Sequence, residues 1–306
     1  MRENYLLNVL GKDIESGQTD PAYWWDEDRI PLHSIDKRVT DLMDLTGKKA
    51  VVTGGAGVNL GQACVNRLAG LGADVAVVDL PRERSEAWTR AAGRTPLLGA
   101  EGVAEKFSKR WGTNCIAVEG DVLTADGVDA VMRECHERLG GIDILINNVA
   151  DVAMGPFANF TTEDIDRSIR GTFTGAVYCA RAVLDYMIPN GWGRIINVGS
   201  ESALTAMPGQ VMYGALKGGL ATFTTQLGAE VEKHGVKVLG VYAGCMWGPN
   251  RDLLPDSALG QYALGRTSIQ RFELPEEVAN MIGFLATDAA SAMTGVMIPM
   301  GGGMAL

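Results

Sequence analysis

The stretch KKAVVTGGAGVNLGQACVNRLAGLGADVAVVDL, from Lys48 to Leu80, decides the fold. KKAVV reads as a short apolar strand, TGGAGVNLG as a glycine-rich turn, QACVNRLAGLGA as a helix and DVAVVD as a second strand. A strand that turns through glycines directly into a helix is the setting in which a glycine loop holds a dinucleotide. Gly54, Gly57 and Gly61 supply the tight turn, the close backbone approach to a pyrophosphate and the close helix-strand packing; Asn59 and Leu60 complete the loop, and the helix N-terminus offers unpaired N–H donors to the anion. No lysine follows the last glycine, which excludes a nucleoside-triphosphate P-loop.

Eighteen residues past Gly61 the second strand ends in Asp79, where a carboxylate accepts hydrogen bonds from an adenosine ribose and repels a 2′-phosphate. The expected cofactor is therefore NAD. NADP is the less favoured alternative, kept open by Arg82 and Arg84 just beyond.

Working outward, β-branched runs recur at KAVVTG, DVAVVD, CIAVEGD, IDILINN, GRIINVGS, KVLGVYAG and VMIPM, each separated by enough chain for a helix. Strands this uniformly apolar have no polar face, so the alternation predicts an α/β fold: a parallel sheet with helices on both faces, as one domain over residues 45–306. Residues 1–44 differ. They are polar, acidic and aromatic (DPAYWWDEDRIPLHSIDKR), without helical or strand period, and read as an N-terminal arm. Tyr23, Trp24 and Trp25 carry apolar area that is costly to leave in water, so the arm is expected to pack on the body or on a neighbouring subunit.

The 306 residues carry a formal charge of −10, with 46% hydrophobic and 21% charged residues, a balance that argues against nucleic acid or an anionic membrane as partner. Five scattered cysteines and three distant histidines show neither disulfide nor metal-ligand spacing, so no metal is expected. No apolar run approaches the ~20 residues needed to span a bilayer, and the first residues lack a signal-peptide core; a cytoplasmic location is expected.

The chemistry is concentrated in NVGSESALTAMPGQVMYGALKGGLATF, where a strand ends at Ser200 and a helix carries Tyr213 and Lys217. Four residues apart on a helix, the two side chains share a face, so the ammonium is expected to favour the phenolate and lower a pKa that is otherwise ~10. Tyr-x-x-x-Lys alone is a common accident; the joint pattern is not. The loop, Asp79, GDV at Gly120 to Val122, NNVA at Asn147 to Ala150, Ser200 thirteen residues before Tyr213, Lys217 and a terminal TGVMIPMGGG together resemble the short-chain dehydrogenase/reductase (SDR) family, over about Leu45 to Leu306.

The resemblance implies a single Rossmann-type doubly wound domain, a nicotinamide cofactor, and a homotetramer or dimer. It also implies hydride transfer between the cofactor and a small-molecule secondary alcohol or ketone. By the same resemblance Tyr213 exchanges the proton with the substrate oxygen, Ser200 hydrogen-bonds that oxygen, and Lys217 binds the nicotinamide ribose while tuning Tyr213. Asp121 and Val122 meet the adenine, Asn148 and Ala150 support the ribose and nicotinamide, and Gly244 follows the sixth strand beside the cofactor.

Several positions depart from the family's pattern. The glycine loop is one residue longer, with the insertion around Val58 and Asn59. Thr172 stands where a relay asparagine is usual. PG after the sixth strand reads Ala243-Gly244, a threonine four residues on reads Gly248, NNAG reads NNVA, and the aspartate common in the terminal motif reads Gly301. A catalytically silent dinucleotide-binding sensor or scaffold is the alternative reading; the intact Ser200, Tyr213 and Lys217 weigh against it. A serine hydrolase is disfavoured, since Ser200 lies in VGSESA and no histidine is placed as its base.

The substrate pocket is expected from Asp151 to Phe157, Glu201 to Met212 and Met246 to Phe272. Met154, Met207, Met212, Met246, Trp247, Leu253, Leu254 and Tyr262 there suggest a cyclic or otherwise bulky substrate. Glu201 is expected to bind a substrate hydroxyl, and Arg251 and Arg266 to be solvated, with a substrate carboxylate as their alternative partner.

Overall fold

The computed structural model describes Ser34 and residues 36–85, 98–248 and 256–304. Tyr23, Trp24, Trp25, Arg251, Leu253 and Leu254 lie outside the described residues. Residues Met1–Leu42 and Met43–Leu306 form separate units. In the first, Val39–Leu42 is a single helical turn beside an Arg38–Asp41 ion pair.

The second unit carries seven strands, β1 (Lys49–Thr53), β2 (Asp74–Asp79), β3 (Cys115–Glu119), β4 (Ile144–Asn147), β5 (Gly193–Ser200), β6 (Val236–Ala243) and β7 (Val296–Pro299). All pair in parallel in the order β3-β2-β1-β4-β5-β6-β7. Each of the seven apolar runs is a strand, and the doubly wound Rossmann-type sheet is present. The helices are α1 (Leu60–Gly70), α2 (Gly99–Trp111), α3 (Ala125–Leu139), α4 (Thr162–Ile169), α5 (Gly175–Asn190), α6 (Val211–Val231), α7 (Ala258–Leu264) and α8 (Pro275–Leu285).

Alternate strand residues feed two cores, which is why the strands are apolar throughout. Val52, Val75, Val77, Ile144 and Ile146 pack with Leu68, Phe107 and Ile282 of α1, α2 and α8. Val51, Ala76, Val78 and Leu145 pack on the opposite face with Met132, Val183 and Met187 of α3 and α5. α3 is held at both ends: the Thr124 hydroxyl accepts from Gly127 N, and Gly140 adopts a left-handed conformation at φ 78°.

The chain reverses its direction of travel across the sheet between β1 and β4, so the crevice beyond their C-terminal ends is the natural ligand position. Here the strands are stitched together. Thr53 Oγ1 donates to the Ile146 carbonyl at 3.1 Å and accepts from Asn148 N at 3.1 Å, while Asn148 Nδ2 donates to the carbonyls of Thr53 and Gly54.

Candidate active site

The glycine loop leaves β1 with Gly54 at φ 65°, a left-handed conformation that favours glycine. A Cβ on Gly61 would lie 2.1 Å from the Gly54 carbonyl oxygen, so only glycine lets α1 start this close to the strand end. Asp79, half-buried at the tip of β2, accepts from Ala56 N at 3.0 Å and from Leu80 N at 2.9 Å. Burial raises its pKa, against the two N–H donors. Asp79 thus fastens the loop, and a carboxylate has lone pairs left for ribose hydroxyls. A loop without side chains at Gly54, Gly57 and Gly61, opening on a helix N-terminus with a carboxylate beside it, fits a dinucleotide.

On the adenine side, Val122 is buried, and Asp121 accepts from Leu123 N and from Arg84 Nη2, each at 3.0 Å. The pairing of Arg84 had no sequence signal, since the two residues stand 37 apart. Asn148 is half-buried beside Gly54, and Ala150 is exposed in the turn beyond β4.

The three catalytic candidates come together on β5 and α6. Ser200 is the last residue of β5 and stands close enough to the Tyr213 phenol to favour its phenolate; its hydroxyl donates to Ser202 Oγ at 3.1 Å, and the Ser202 hydroxyl donates to Gln210 Oε1. Lys217 Nζ sits 5.6 Å from the Tyr213 ring centroid and donates to the Val198 carbonyl at 2.5 Å. Only 2% of Lys217 is exposed, and burial brings its ammonium down to about 8. One expectation is corrected here. The Tyr213 phenol lies above its ordinary value because burial disfavours the phenolate, and Ser200 supplies the lowering contact.

Thr172 lies buried in a π-helical turn, Arg170–Thr174, between α4 and α5, and its hydroxyl donates to the Asp151 carbonyl at 3.3 Å. The nearby polar network runs from Asn147 Nδ2 to Asn197 Oδ1 and from Asn197 Nδ2 to Thr224 Oγ1, each at 2.9 Å.

Glu201 also departs from its expected role. It is 5% exposed and turned toward Gly301, where a Cβ would lie 1.7 Å from Glu201 Cδ, so it fills the space of a side chain at 301 instead of facing substrate. Its neighbour is Glu273, missed in the sequence because ELPEE, from Glu273 to Glu277, reads as an ordinary helix start. Glu273 is 4% exposed and accepts from Gly244 N at 3.1 Å, and its backbone bridges Cys245 and Trp247. Burial first, with the Glu201 charge adding, pushes Glu273 up to about 7. Cys245, which faces both acids, is pushed up to about 11 by burial.

In the expected substrate region Met154, Trp247 and Tyr262 are exposed, whereas Met207, Met212 and Met246 are half-buried. Arg266 donates to Thr205 Oγ1 and Tyr262 Oη instead of standing solvated. A hollow of about 360 Å³ opens between the loop after β4 and α4, lined by Val152, Met154, Phe160 and Arg167 among others. Among the described residues no cluster of three metal-binding side chains occurs, and no helix is long and apolar enough to cross a membrane.

The family described as enoyl-(acyl carrier protein) reductase matches residues 55–305. The chain is 30% identical over 260 residues to 3-oxoacyl-[acyl-carrier-protein] reductase FabG of Aquifex aeolicus, covering 85% of this chain and 98% of that protein. It is 32% identical over 267 residues to 2,3-dihydroxy-2,3-dihydro-p-cumate dehydrogenase of Pseudomonas putida, covering 85% and 95%. The crystal structure of a dehydrogenase/reductase from Sinorhizobium meliloti 1021 superposes with a TM-score of 0.77 at 25% identity, covering 88% of this chain and 99% of that one. This chain belongs to the short-chain dehydrogenase/reductase family of oxidoreductases, which work with nicotinamide cofactors.

Proposed function

We propose that the protein is an NAD-dependent dehydrogenase or reductase acting on a secondary alcohol or its ketone, with a cyclic or otherwise bulky carbon frame. The observation that carries this reading is the buried Lys217 with its Nζ 5.6 Å from the Tyr213 ring, beside Ser200 at the end of β5. A bound nicotinamide supplies or receives the hydride. The backbone of Gly54, Gly57, Asn59, Leu60 and Gly61 would hold its pyrophosphate side, Asp79 the adenosine ribose, and Asp121 and Val122 the adenine. Asn148, Ala150, Gly244 and Lys217 would lie along the nicotinamide half.

Tyr213 gives the proton to a ketone oxygen or takes it from an alcohol, and Ser200 donates a hydrogen bond to that oxygen, stabilising the charge that develops. Lys217 places a cation one turn away. A bulky substrate is supported by the apolar Met207, Met212, Met246 and Trp247 near the triad in sequence, and by the cyclic diol named for the p-cumate relative. A cytoplasmic dimer or tetramer, with residues 1–44 as an arm on a single catalytic domain, completes the proposal.

The test is a panel of cyclic secondary alcohols with NAD, read as absorbance of the reduced cofactor, alongside bulky ketones with NADH. Oxidation of at least one cyclic alcohol is expected. A protein that binds NADH but turns over nothing in the panel would favour the silent sensor.

A further inference from the structure

Two departures in the sequence meet in space. Asn59, from the lengthened glycine loop, stands at the N-cap of α1, yet its side chain makes no capping hydrogen bond. An asparagine here ordinarily accepts from the helix's own free N–H groups. Instead the carboxamide is turned to Gly248: a Cβ on Gly248 would lie 2.3 Å from Asn59 Oδ1 and 2.8 Å from both Cγ and Nδ2. Asn59 Oδ1 is buried and has no hydrogen-bond partner in the protein. An unpaired buried acceptor costs on the order of 1–3 kcal/mol, so such a group points to a missing donor.

Topology says which half of a dinucleotide that donor belongs to. Asp79 and Asp121 follow β2 and β3, on one side of the switch point, whereas Ser200 ends β5 and pairs in register with Ala243 of β6. Gly248 follows β6 and so stands on the catalytic side, where the reacting ring must lie. Asn59 reaches across to that side, and its carboxamide, with one acceptor and two donors, complements another primary carboxamide.

We propose that Asn59 recognises the nicotinamide carboxamide, accepting a hydrogen bond at Oδ1, and that the glycine at 248 leaves room for it. This rests on the nicotinamide reading above and assigns one contact within it. The longer loop and the bare residue 248 then form one coupled device: the loop delivers a polar side chain where the β6 loop presents none.

The test measures binding, by fluorescence titration with NADH and by calorimetry with ADP-ribose, which has the same pyrophosphate and adenosine but no nicotinamide. Asn59→Ala is expected to weaken NADH roughly five- to tenfold, as for loss of one hydrogen bond, and to leave ADP-ribose within about twofold. Gly248→Ala should weaken NADH comparably by pushing Asn59 aside, and should have no further effect in the Asn59→Ala background. Equal loss of both ligands in Asn59→Ala would overturn the proposal, since the side chain would then act on the loop or pyrophosphate. Unchanged NADH binding in Asn59→Ala, with the wild type binding normally, would overturn it alone. A wild type that binds ADP-ribose but neither NADH nor NADPH would overturn the nicotinamide reading with it.

Discussion

Glu201 occupies the volume that a side chain on Gly301 would need, its Cδ lying 1.7 Å from where that Cβ would stand. The acid that SDR relatives commonly carry near the chain's end is missing at 301, and an acid from the segment after β5 takes its space. Gly301→Ala is therefore expected to destabilise the protein by roughly 1–3 kcal/mol, because a buried carboxylate must be displaced. Adding Glu201→Ala should recover most of that loss. Urea unfolding of the two single variants and the double variant measures the coupling, and purely additive losses would mean the contact does not constrain the site.

The carboxylate pair also fixes a pH dependence. Glu273 is raised to about 7 from 4.5, so between those values the folded protein binds more protons than the unfolded chain, and its stability falls as pH rises. The cost is absent below about 4.5 and complete above about 7. Glu201, Cys245 and the Gly244 N–H face the group, with Arg271 and Glu277 further along its own segment. Glu273→Gln keeps an acceptor for Gly244 N and removes the charge. It should stabilise the protein by up to ~3 kcal/mol at pH 8 and by little at pH 5. Melting curves at the two pH values decide it, and equal shifts at both would refute an ionisation effect.

All seven strands and the helix bearing Tyr213 were legible in the sequence because they rest on local signals: apolar runs of strand length, glycines at a turn, a four-residue spacing. Asp79 and the glycine loop were legible for the same reason. The pairs Asn59 with Gly248 and Glu201 with Gly301 were not. Each departure was visible singly as a lost side chain, but a vacancy at one position and its filling from a distant segment is a tertiary fact. The Tyr213 pKa was misjudged likewise: spacing placed the lysine beside it, while burial, which no spacing reports, raises the phenol and Ser200 is the group that opposes it.

On the proposed reading Asp79, which already holds Ala56 N and Leu80 N, also selects the cofactor. Asp79→Ala is expected to weaken NADH roughly 10- to 100-fold, as for lost hydrogen bonds to a charged group, and to narrow its advantage over NADPH. Titration of wild type and variant with both cofactors checks this. For Arg84 to hold a 2′-phosphate it would have to leave Asp121, its partner at 3.0 Å, so a wild type that prefers NADPH would reverse the assignment and require that exchange.

The chemistry itself is tested by separating proton transfer from cofactor grip at Tyr213 and Lys217. Tyr213→Phe removes the proton donor and leaves the glycine loop and Asp79 untouched, so turnover should fall by about 10²- to 10⁴-fold with NADH binding nearly unchanged. Lys217 is different, because its ammonium is buried and lowered from 10.5 to about 8. Between those values the unfolded chain binds more protons than the folded one. The burial cost is therefore fully present below about pH 8 and is relieved as pH rises toward 10.5. Lys217→Met should accordingly stabilise the protein by up to ~3 kcal/mol at pH 7 while weakening NADH and leaving the alcohol-oxidation profile in place, since Ser200 and not Lys217 opposes the effect of burial on Tyr213. Melting temperature, NADH titration and a pH-rate series give three independent readouts. Near-normal turnover in Tyr213→Phe would refute the acid-base role, and a Lys217→Met variant with wild-type NADH affinity would remove the lysine from the cofactor site.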